Sequence, residues 1–384
     1  MRWKYGSHYV EREKELSVID PTAESKPIQA IDYSKLDGIN FFFILGRSRS
    51  GTTLIRTLLD AHQQVIVPPE STVIVDLYRK YLQAQFTKEK ILEFYHDLLR
   101  EGKFKTIWDI DREKLKNDLL NCPEPDFYKL FKIVYLNYRS PYPHQNILLV
   151  GDKNPLYCPH TAELIKIFPS AKFLFISRDY RDNIISHKRI HATMMRTTSV
   201  LAHNWLIHNR SIFQEMKKHP QKFLFFKYED LAAEPAAHLK SICTFLGLDY
   251  SDSLLDFYKG INKENKHIKG IMEMHQNLSN PVNTSRTNLW QKQMTTWQIK
   301  QADLISGKMG EQLGYERRYK NFSLAAYLFT RPGVFYSTLS TNFFHSVMRM
   351  PVPVKNFIRS MMMLIHVPEW VRLTKKQKKN DDTN

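Results

Sequence analysis

The stretch "FFFILGRSRSGTTL", residues 41–54, decides the fold of this chain. An apolar run leads into a loop bracketed by Gly46 and Gly51, and a helical pattern begins at Thr52. Glycine allows the tight turns and close backbone approach that such a loop requires. Backbone N–H groups in a loop of this kind point inward, and the helix N-terminus that follows adds partial positive charge. The stretch therefore predicts a phosphate-binding loop between a strand and a helix.

The loop lacks the lysine of a nucleoside triphosphate loop. In the pattern GxxxxGK[ST], that lysine reaches the β- and γ-phosphates, and Thr52 stands at its position here. The cation of this loop is instead Arg49. An alternative interpretation is a helix capped by Thr52 and Thr53 after a buried strand. The strand-loop-helix order with both glycines favours the phosphate site.

Four further apolar runs have the length of buried strands. They are "QVIVPP" from Gln64, "NILLVGDK" from Asn146, "KFLFISRD" from Lys172 and "KFLFFKYEDL" from Lys222. Short apolar runs between polar or turn residues are typical of strands that are buried on both faces. Amphipathic stretches of helical length separate them. We therefore expect a P-loop-like, three-layer α/β domain, in which helices flank a central parallel sheet of about five strands.

Shifts in composition suggest the boundaries of the parts. Residues 1–37 read as a polar N-terminal extension, and residues 38–320 as the main domain, with a helical insertion at 72–145. Residues 321–384 form a basic, aromatic C-terminal tail with a helical pattern. Two interpretations of the tail stay open: a helical subdomain packed on the core, or a surface that contacts a membrane or a lipid. Its apolar stretches are too short and too interrupted to span a bilayer.

Charge and cysteine content narrow the class of protein. The 384 residues carry a formal net charge of +17, which attracts nucleotides, sulfated or phosphorylated substrates, nucleic acid or anionic lipid. Nucleic acid is not expected, because no RNP motif, zinc finger or helix-turn-helix pattern occurs. The three cysteines show neither a CxxC pair nor metal-ligand spacing, and the N-terminus has no apolar signal segment. We therefore expect reduced thiols and a cytoplasmic protein, with peripheral membrane contact through the tail as an open alternative.

Several ordered motifs resemble those of the sulfotransferases that use 3′-phosphoadenosine 5′-phosphosulfate (PAPS). Their 5′-phosphosulfate loop reads [RK]-S-G-T-T after a first strand, and residues 49–53 read "RSGTT". "PPES" at 68–71, "DKNP" at 152–155 and "FPSAKFLFISRDYRDNIISH" at 168–187 follow in turn. Their order and spacing are similar to those of the tyrosylprotein sulfotransferase branch and its bacterial relatives. The resemblance covers roughly residues 38 to 318.

The resemblance implies roles for individual residues. The residues implied to cradle the 5′-phosphosulfate are Arg49, Ser50, Gly51, Thr52 and Thr53. Glu70 matches the catalytic base, and Lys153 matches a lysine that stabilises the transition state. Arg178 and Ser186 match the pair that binds the 3′-phosphate, and Tyr228 matches a tyrosine near the nucleotide. Arg49 and Lys153 would place positive charge where the leaving oxygen becomes negative.

Two positions depart from the family pattern. The family's transition-state serine falls near Met274, which has no hydroxyl, and His275 or Asn277 are the substitutes at hand. The family lysine before the late tryptophan is Leu289 here, preceding Trp290. Arg286, in the same loop, is then the candidate for that nucleotide contact.

The resemblance implies an enzyme that moves a sulfuryl group from PAPS to an acceptor hydroxyl. The acceptor stays open among tyrosyl, carbohydrate, lipid and small-metabolite hydroxyls. By analogy with phosphoryl transfer, in which positioning and electrostatics dominate, in-line displacement of the less charged SO₃ group is expected without a metal. Two other functions remain: a P-loop kinase of small molecules, with Asp152 as the nearest magnesium ligand, and a non-catalytic basic protein that binds nucleic acid or membrane.

Overall fold

A computed structural model describes residues 30–190, 197–260 and 276–348, together with positions 350, 354, 355, 357 and 358. The chain divides into two compact units, residues 1–31 and 32–384. Every strand and helix named below belongs to the second unit. All three cysteines are buried free thiols.

The centre of the domain is a parallel sheet of five strands. These are β1 Asn40–Leu45, β2 Val65–Ile66, β3 Leu149–Lys153, β4 Lys172–Ser177 and β5 Phe223–Lys227. Their order across the sheet is β2-β3-β1-β4-β5, and every pair is parallel. Each strand coincides with one of the five apolar runs, so the predicted α/β architecture is confirmed.

Stacked aromatic rings run across three neighbouring strands of the sheet. The register places Phe43 of β1 beside Phe173 of β4, and Phe173 beside Phe223 of β5. Their ring centroids lie 5.4 and 4.9 Å apart, with nearly parallel planes. Neighbouring side chains on one face of a sheet stabilise the pairing of their strands. The ladder thus holds β1, β4 and β5 in register near the amino-terminal ends of β4 and β5.

Fourteen helices surround the sheet within the described part of the chain. They are α1 Thr52–Asp60, α2 Val73–Tyr81, α3 Lys88–Leu98, α4 Gly102–Ile107, α5 Arg112–Leu120, α6 Phe127–Leu136, α7 Thr161–Ile167, α8 Tyr180–Ile190, α9 Thr198–Lys218, α10 Tyr228–Ala233, α11 Pro235–Leu246, α12 Trp290–Gln293, α13 Thr296–Gln312 and α14 Leu324–Met348. Helices α2 to α6 all lie between β2 and β3, within the predicted insertion. Short 3₁₀ helices include Tyr33–Gly38 and Pro155–His160.

Strand order explains where the site lies. The chain adds β2 and β3 on one side of β1, then crosses over and adds β4 and β5 on the other. In open α/β sheets, ligands bind outside the carboxyl ends of the strands at such a switch point. Gly46, Glu70 and Arg178 lie in the segments that follow β1, β2 and β4, and Lys153 is the last residue of β3. These residues are therefore brought to one edge of the sheet.

The C-terminal tail begins with a long helix. Helix α14 packs on α9 and α13, and the residues beyond 358 lie outside the described part of the chain. Among the described residues, no helix combines the length and apolarity needed to cross a membrane.

Candidate active site

The loop between β1 and α1 is pressed against its neighbours. A β-carbon on Gly46 would lie 2.4 Å from the backbone oxygen of Ile176 in β4. Gly51 has a φ of 93°, and a β-carbon there would lie 2.6 Å from a ring carbon of Tyr228. Only glycine tolerates this combination of space and left-handed backbone. The two glycines thus let the loop pass between β4 and Tyr228.

The N-terminus of α1 opens onto the loop. Gly51 is its N-cap residue, and no side chain in the described structure caps the helix. The alternative in which Thr52 and Thr53 cap the helix is therefore wrong. The first N–H groups of a helix have no intrahelical acceptor and carry the positive end of its dipole. The loop and this helix end together suit an anion.

Arginines from separate segments meet beside the loop. Arg178, directly after β4, donates from Nη1 to the Arg49 carbonyl at 3.1 Å and from Nη2 to the Arg286 carbonyl at 2.5 Å. Its guanidinium lies 4.9 Å from the centroid of the Tyr228 ring. Arg49, with a φ of 69°, donates from Nε to the Ser186 hydroxyl at 3.2 Å. The residues predicted for the nucleotide thus lie together.

The positive charges in this cluster repel one another. Burial lowers the pKa of Arg49, and the guanidinium groups of Arg178 and Arg286 lower it further. Burial also lowers the pKa of Arg189 in α8, to which Arg286 and Arg178 contribute again. A dianionic phosphate relieves such repulsion through charge-assisted hydrogen bonds. Arg178 Nε is buried with no hydrogen-bond partner in the described structure, and it offers a further donor. The cluster therefore fits a phosphate group.

Helix α8 supports the loop from below. Asn183 donates from Nδ2 to the Ser48 carbonyl at 3.0 Å and to the Ser50 hydroxyl at 3.1 Å. His187, one turn further, donates from Nε2 to the same Ser48 carbonyl at 3.1 Å, because a carbonyl oxygen only accepts. These contacts fix the loop on the helix that carries Ser186. Sequence reasoning missed Asn183, although its spacing of one turn from His187 was visible.

Glu70 lies on a segment whose backbone is held on both sides. The Trp108 indole N–H donates to the Pro69 carbonyl at 2.8 Å. The Ser71 carbonyl accepts from Asn154 Nδ2 at 2.9 Å and from the Tyr157 hydroxyl at 3.0 Å. The carboxylate itself is partly exposed at the sheet edge.

Two lysines bind the Glu70 carboxylate. Lys153 Nζ lies 2.5 Å from Oε1, and Lys103 Nζ lies 2.8 Å from Oε2. Lys153 Nζ also donates to the Thr53 hydroxyl at 3.3 Å. Lys153 therefore connects the carboxylate to the phosphate-binding loop. Lys103 was not predicted, because it belongs to α4, in the insertion, and no sequence spacing joins it to Glu70.

These ion pairs set the charge states at this point of the site. Burial raises the pKa of Glu70, but the charges of Lys153 and Lys103 outweigh it and lower the pKa to about 2. Burial lowers the pKa of Lys153 although Glu70 opposes the effect. Glu70 is thus ionised at neutral pH, and Lys153 is a buried cation that depends on a nearby anion.

Asp152, which precedes Lys153, is buried among tyrosines. Its Oδ2 lies 2.7 Å from the Tyr135 hydroxyl and 3.0 Å from that of Tyr157. Burial raises its pKa to about 7, against the effect of both hydrogen bonds. The single proton of the Tyr157 hydroxyl can serve either Asp152 or the Ser71 carbonyl. A protonated Asp152 donates to Tyr157, which frees that hydroxyl to hold Ser71 beside Glu70.

Other residues near the candidate site have structural roles or lie outside the described part of the chain. Leu289 is the N-cap residue of α12. Its side chain is uncharged and cannot replace the family lysine. Met274 and His275 lie outside the described residues, as does the side chain of Asn277. His62 is structural: Nε2 binds the Asp249 carbonyl at 2.9 Å, and Nδ1 accepts from the Gln64 N–H.

Comparison with known proteins identifies the family to which this chain is similar. The sequence profile of the sulfotransferase family matches residues 42–252. A protein-tyrosine sulfotransferase of Drosophila melanogaster is 26% identical over 265 residues, which cover 67% of this chain and 48% of that protein. Protein-tyrosine sulfotransferase 1 of Danio rerio is 24% identical over 259 residues, which cover 65% of this chain and 64% of that protein. The chain thus spans less than two thirds of the length of either relative.

The fold has counterparts among solved structures. The sulfotransferase domain from the Synechococcus PCC 7002 olefin synthase aligns with a TM-score of 0.50 at 21% identity. The alignment covers 76% of this chain and 99% of that domain. At this identity, the likeness concerns the fold.

Proposed function

The chain belongs to the sulfotransferase family, and from this we propose that it transfers a sulfuryl group from PAPS to a hydroxyl group of an acceptor. One observation supports the proposal above the others: Lys153 Nζ lies between the Glu70 carboxylate and the Thr53 hydroxyl of the phosphate-binding loop. The ammonium group of Lys153 thereby contacts both the carboxylate proposed as the base and the anion-binding loop. Transfer of an anionic group to a hydroxyl uses all three: the cation, the base and the loop.

Each group of residues in the site has a separate role in the proposed reaction. The loop from Arg49 to Thr53 and the end of α1 would hold the 5′-phosphosulfate, and Arg178 with Ser186 would hold the 3′-phosphate. PAPS supplies an electron-poor sulfuryl group on a phosphate leaving group. Glu70 takes the proton from the acceptor hydroxyl, and Lys153 stabilises negative charge beside the loop. Arg286 contributes its carbonyl to the position of Arg178. Transfer without a metal stays part of the proposal.

The kinase alternative loses its magnesium ligand. Asp152 was the candidate, yet it is 2% exposed and its carboxyl group is hydrogen-bonded to two tyrosine hydroxyls. In addition, Thr52 replaces the lysine of a triphosphate loop. We therefore expect 3′-phosphoadenosine 5′-phosphate (PAP) to bind without magnesium and ATP to bind poorly. Tight, magnesium-dependent binding of ATP together with weak binding of PAP would restore the kinase.

The acceptor is proposed only as a class. The two relatives named above are protein-tyrosine sulfotransferases, which makes a tyrosyl hydroxyl the first candidate, ahead of carbohydrate, lipid and small-metabolite hydroxyls. Binding of nucleic acid is not part of the proposal. A cytoplasmic location, peripheral to a membrane, stays a prediction.

A transfer assay tests the proposal directly. The full chain is incubated with [³⁵S]PAPS and, in turn, a tyrosyl peptide, a sugar, a hydroxylated lipid and a phenol. Label transferred to one of these classes, with none transferred by Glu70→Gln, supports the proposal. A chain that binds PAP but transfers label to no acceptor and does not hydrolyse PAPS would contradict it.

A further inference from the structure

Helix α14 has its large apolar side chains on the outside. Leu328 is 63% exposed, Phe335 66% and Leu339 53%. Their spacing of seven and four residues places them along one line of an α-helix. Leu324, Phe329 and Phe343 extend the same exposed surface. We call this surface, Leu324 to Phe343 on the outward side of α14, the outer face.

The side of α14 that meets the protein is made of small residues. Ala326, Thr330 and Ser337 are buried, and a β-carbon on Gly333 would lie 2.6 Å from the β-carbon of Ser199 in α9. Ser337 also donates to the Asn204 side chain at 2.7 Å. A surface helix of a globular protein normally turns its large apolar residues inward. Here the polarity is reversed, and contiguous exposed apolar surfaces of this kind mark interaction sites.

Amphipathic aromatic residues border the outer face. Tyr327 and Tyr336 are partly exposed on its flanks. Trp297, at the start of α13, is 42% exposed and meets Phe329 edge to face, with ring centroids 6.0 Å apart. Tyrosine and tryptophan concentrate at the level of lipid headgroups, because one end of each ring is apolar and the other polar.

The charge of this part of the chain favours an anionic lipid surface over a second copy of the chain as the partner of the outer face. Between residues 317 and 368 the sequence has no Asp or Glu, but it has seven Lys and Arg residues. Two of the seven form ion pairs within the domain, Arg317 with Glu311 and Lys355 with Asp76, whereas Arg331 lies on the exposed side of α14. A two-fold contact between copies would bring these identical cationic segments together. An anionic lipid surface instead attracts them while it takes up the apolar side chains.

The segment after α14 is anchored to the helix that follows Glu70. Lys355 forms a buried ion pair with Asp76 of α2, the helix that begins three residues after Glu70. Asp76 also accepts from the Thr72 hydroxyl at 2.9 Å. His345 stacks on His160, with ring centroids 4.7 Å apart, at the end of the 3₁₀ helix that follows Lys153. The outer face is therefore held in a fixed position on the domain.

We propose that the outer face docks the enzyme on an anionic membrane surface, with the Leu328, Phe335 and Leu339 side chains inserted among the lipids. The inference goes beyond sulfuryl transfer and does not depend on the identity of the acceptor. It requires no spanning helix, since α14 would lie in the plane of the interface.

Vesicle co-sedimentation of the full chain tests the proposal. We expect binding to vesicles of phosphatidylcholine with phosphatidylserine, and much weaker binding to phosphatidylcholine alone. The triple variant Leu328→Ser/Phe335→Ser/Leu339→Ser should lose at least about tenfold in binding, because three apolar side chains no longer enter the lipid. Leu148→Ser, which alters an exposed leucine beside β3 on another part of the surface, should bind as the wild type does. An unchanged affinity for PAP verifies that the triple variant is folded.

Three results would overturn the proposal. One is a wild-type chain that does not bind either kind of vesicle, and another is a folded triple variant that binds them as well as the wild type does. The third is a dimer, seen by sedimentation velocity without lipid, that the triple variant converts to a monomer. That result would assign the outer face to a second copy of the chain.

Discussion

Lys103 Nζ lies 2.8 Å from Glu70 Oε2, the carboxylate oxygen that Lys153 does not bind. Both oxygens of the proposed base are therefore occupied by ammonium groups. A general base must come within hydrogen-bonding distance of the hydroxyl that it deprotonates. Lys103 is partly exposed and belongs to α4, whereas Lys153 is buried at the end of β3. We infer that the acceptor hydroxyl displaces Lys103 and takes its place at Oε2.

Glu70→Gln should abolish transfer while PAP still binds. The amide keeps the size of the side chain but cannot accept the proton, and a general base typically contributes a factor of about 10² to 10⁴ in rate. The measurement is the single-turnover rate with saturating PAPS, beside PAP affinity by calorimetry. A Glu70→Gln variant that transfers at the wild-type rate would remove Glu70 as the base.

Removal of Lys103 should change the pH dependence of the enzyme. Its charge helps to lower the pKa of Glu70 to about 2, so Lys103→Ala should raise that pKa towards its usual value. A carboxylate base is active above its pKa and loses activity as pH falls through it. The acid limb of kcat/KM should therefore move to higher pH. Lys105→Ala, on the exposed side of the same helix, is the control that should leave the limb in place; a limb equally unmoved in Lys103→Ala would refute this role.

The sequence predicted the sheet because its physics is local. A run such as "FFFIL" has the length and continuous apolarity of a buried strand, whatever lies around it. The turns at the two glycines of the loop could likewise be predicted, since the positive φ of Gly51 depends on that residue alone. The boundaries of the extension, insertion and tail stay predictions.

Residues that act through distant partners could not be predicted in the same way. Lys103 reaches Glu70 only because the fold brings α4 beside it, and nothing in the pattern of the insertion encodes that contact. Asp152 was the nearest candidate for a magnesium ligand, because it lies close to the end of a strand. Its two tyrosine partners come from α6 and from the 3₁₀ helix Pro155–His160, and only the fold brings them together.

Arg178→Ala should weaken the binding of PAP more than that of adenosine 5′-phosphate, which lacks the 3′-phosphate. Hydrogen bonds to charged groups are worth about 1.5–3 kcal/mol, so we expect a loss of about 10- to 100-fold for PAP. Calorimetric titration of both nucleotides measures the difference. If both lose affinity to the same extent, Arg178 does not contact the 3′-phosphate.

Gly46→Ala should destroy the nucleotide site. The new β-carbon would meet the Ile176 carbonyl at 2.4 Å, and a strand backbone cannot yield without disturbing the sheet. We expect a loss of stability of about 1–3 kcal/mol and loss of PAP binding. Gly38→Ala is the matched control, because a β-carbon there meets no atom within 4 Å. Normal PAP affinity in Gly46→Ala would show that the loop does not need its close contact with β4.

Asp152→Asn should change how stability depends on pH. Burial raises the pKa of Asp152 to about 7 in the folded protein, so the folded state keeps a proton that the unfolded chain releases near its ordinary pKa of about 4. The folded state thus binds more protons in this window, and stability due to Asp152 falls as pH rises from about 4 to about 7. An asparagine does not titrate. Other carboxyl groups with a raised pKa, such as Asp182 and Glu229, contribute equally to both proteins and cancel in the comparison.

Urea unfolding at about pH 5 and about pH 8 measures this difference. Between these two pH values the wild type should lose about 1–3 kcal/mol of unfolding free energy relative to Asp152→Asn. The exposed Asp256→Asn serves as the control, and parallel curves for wild type and Asp152→Asn would mean that Asp152 is ionised in the folded protein throughout this range.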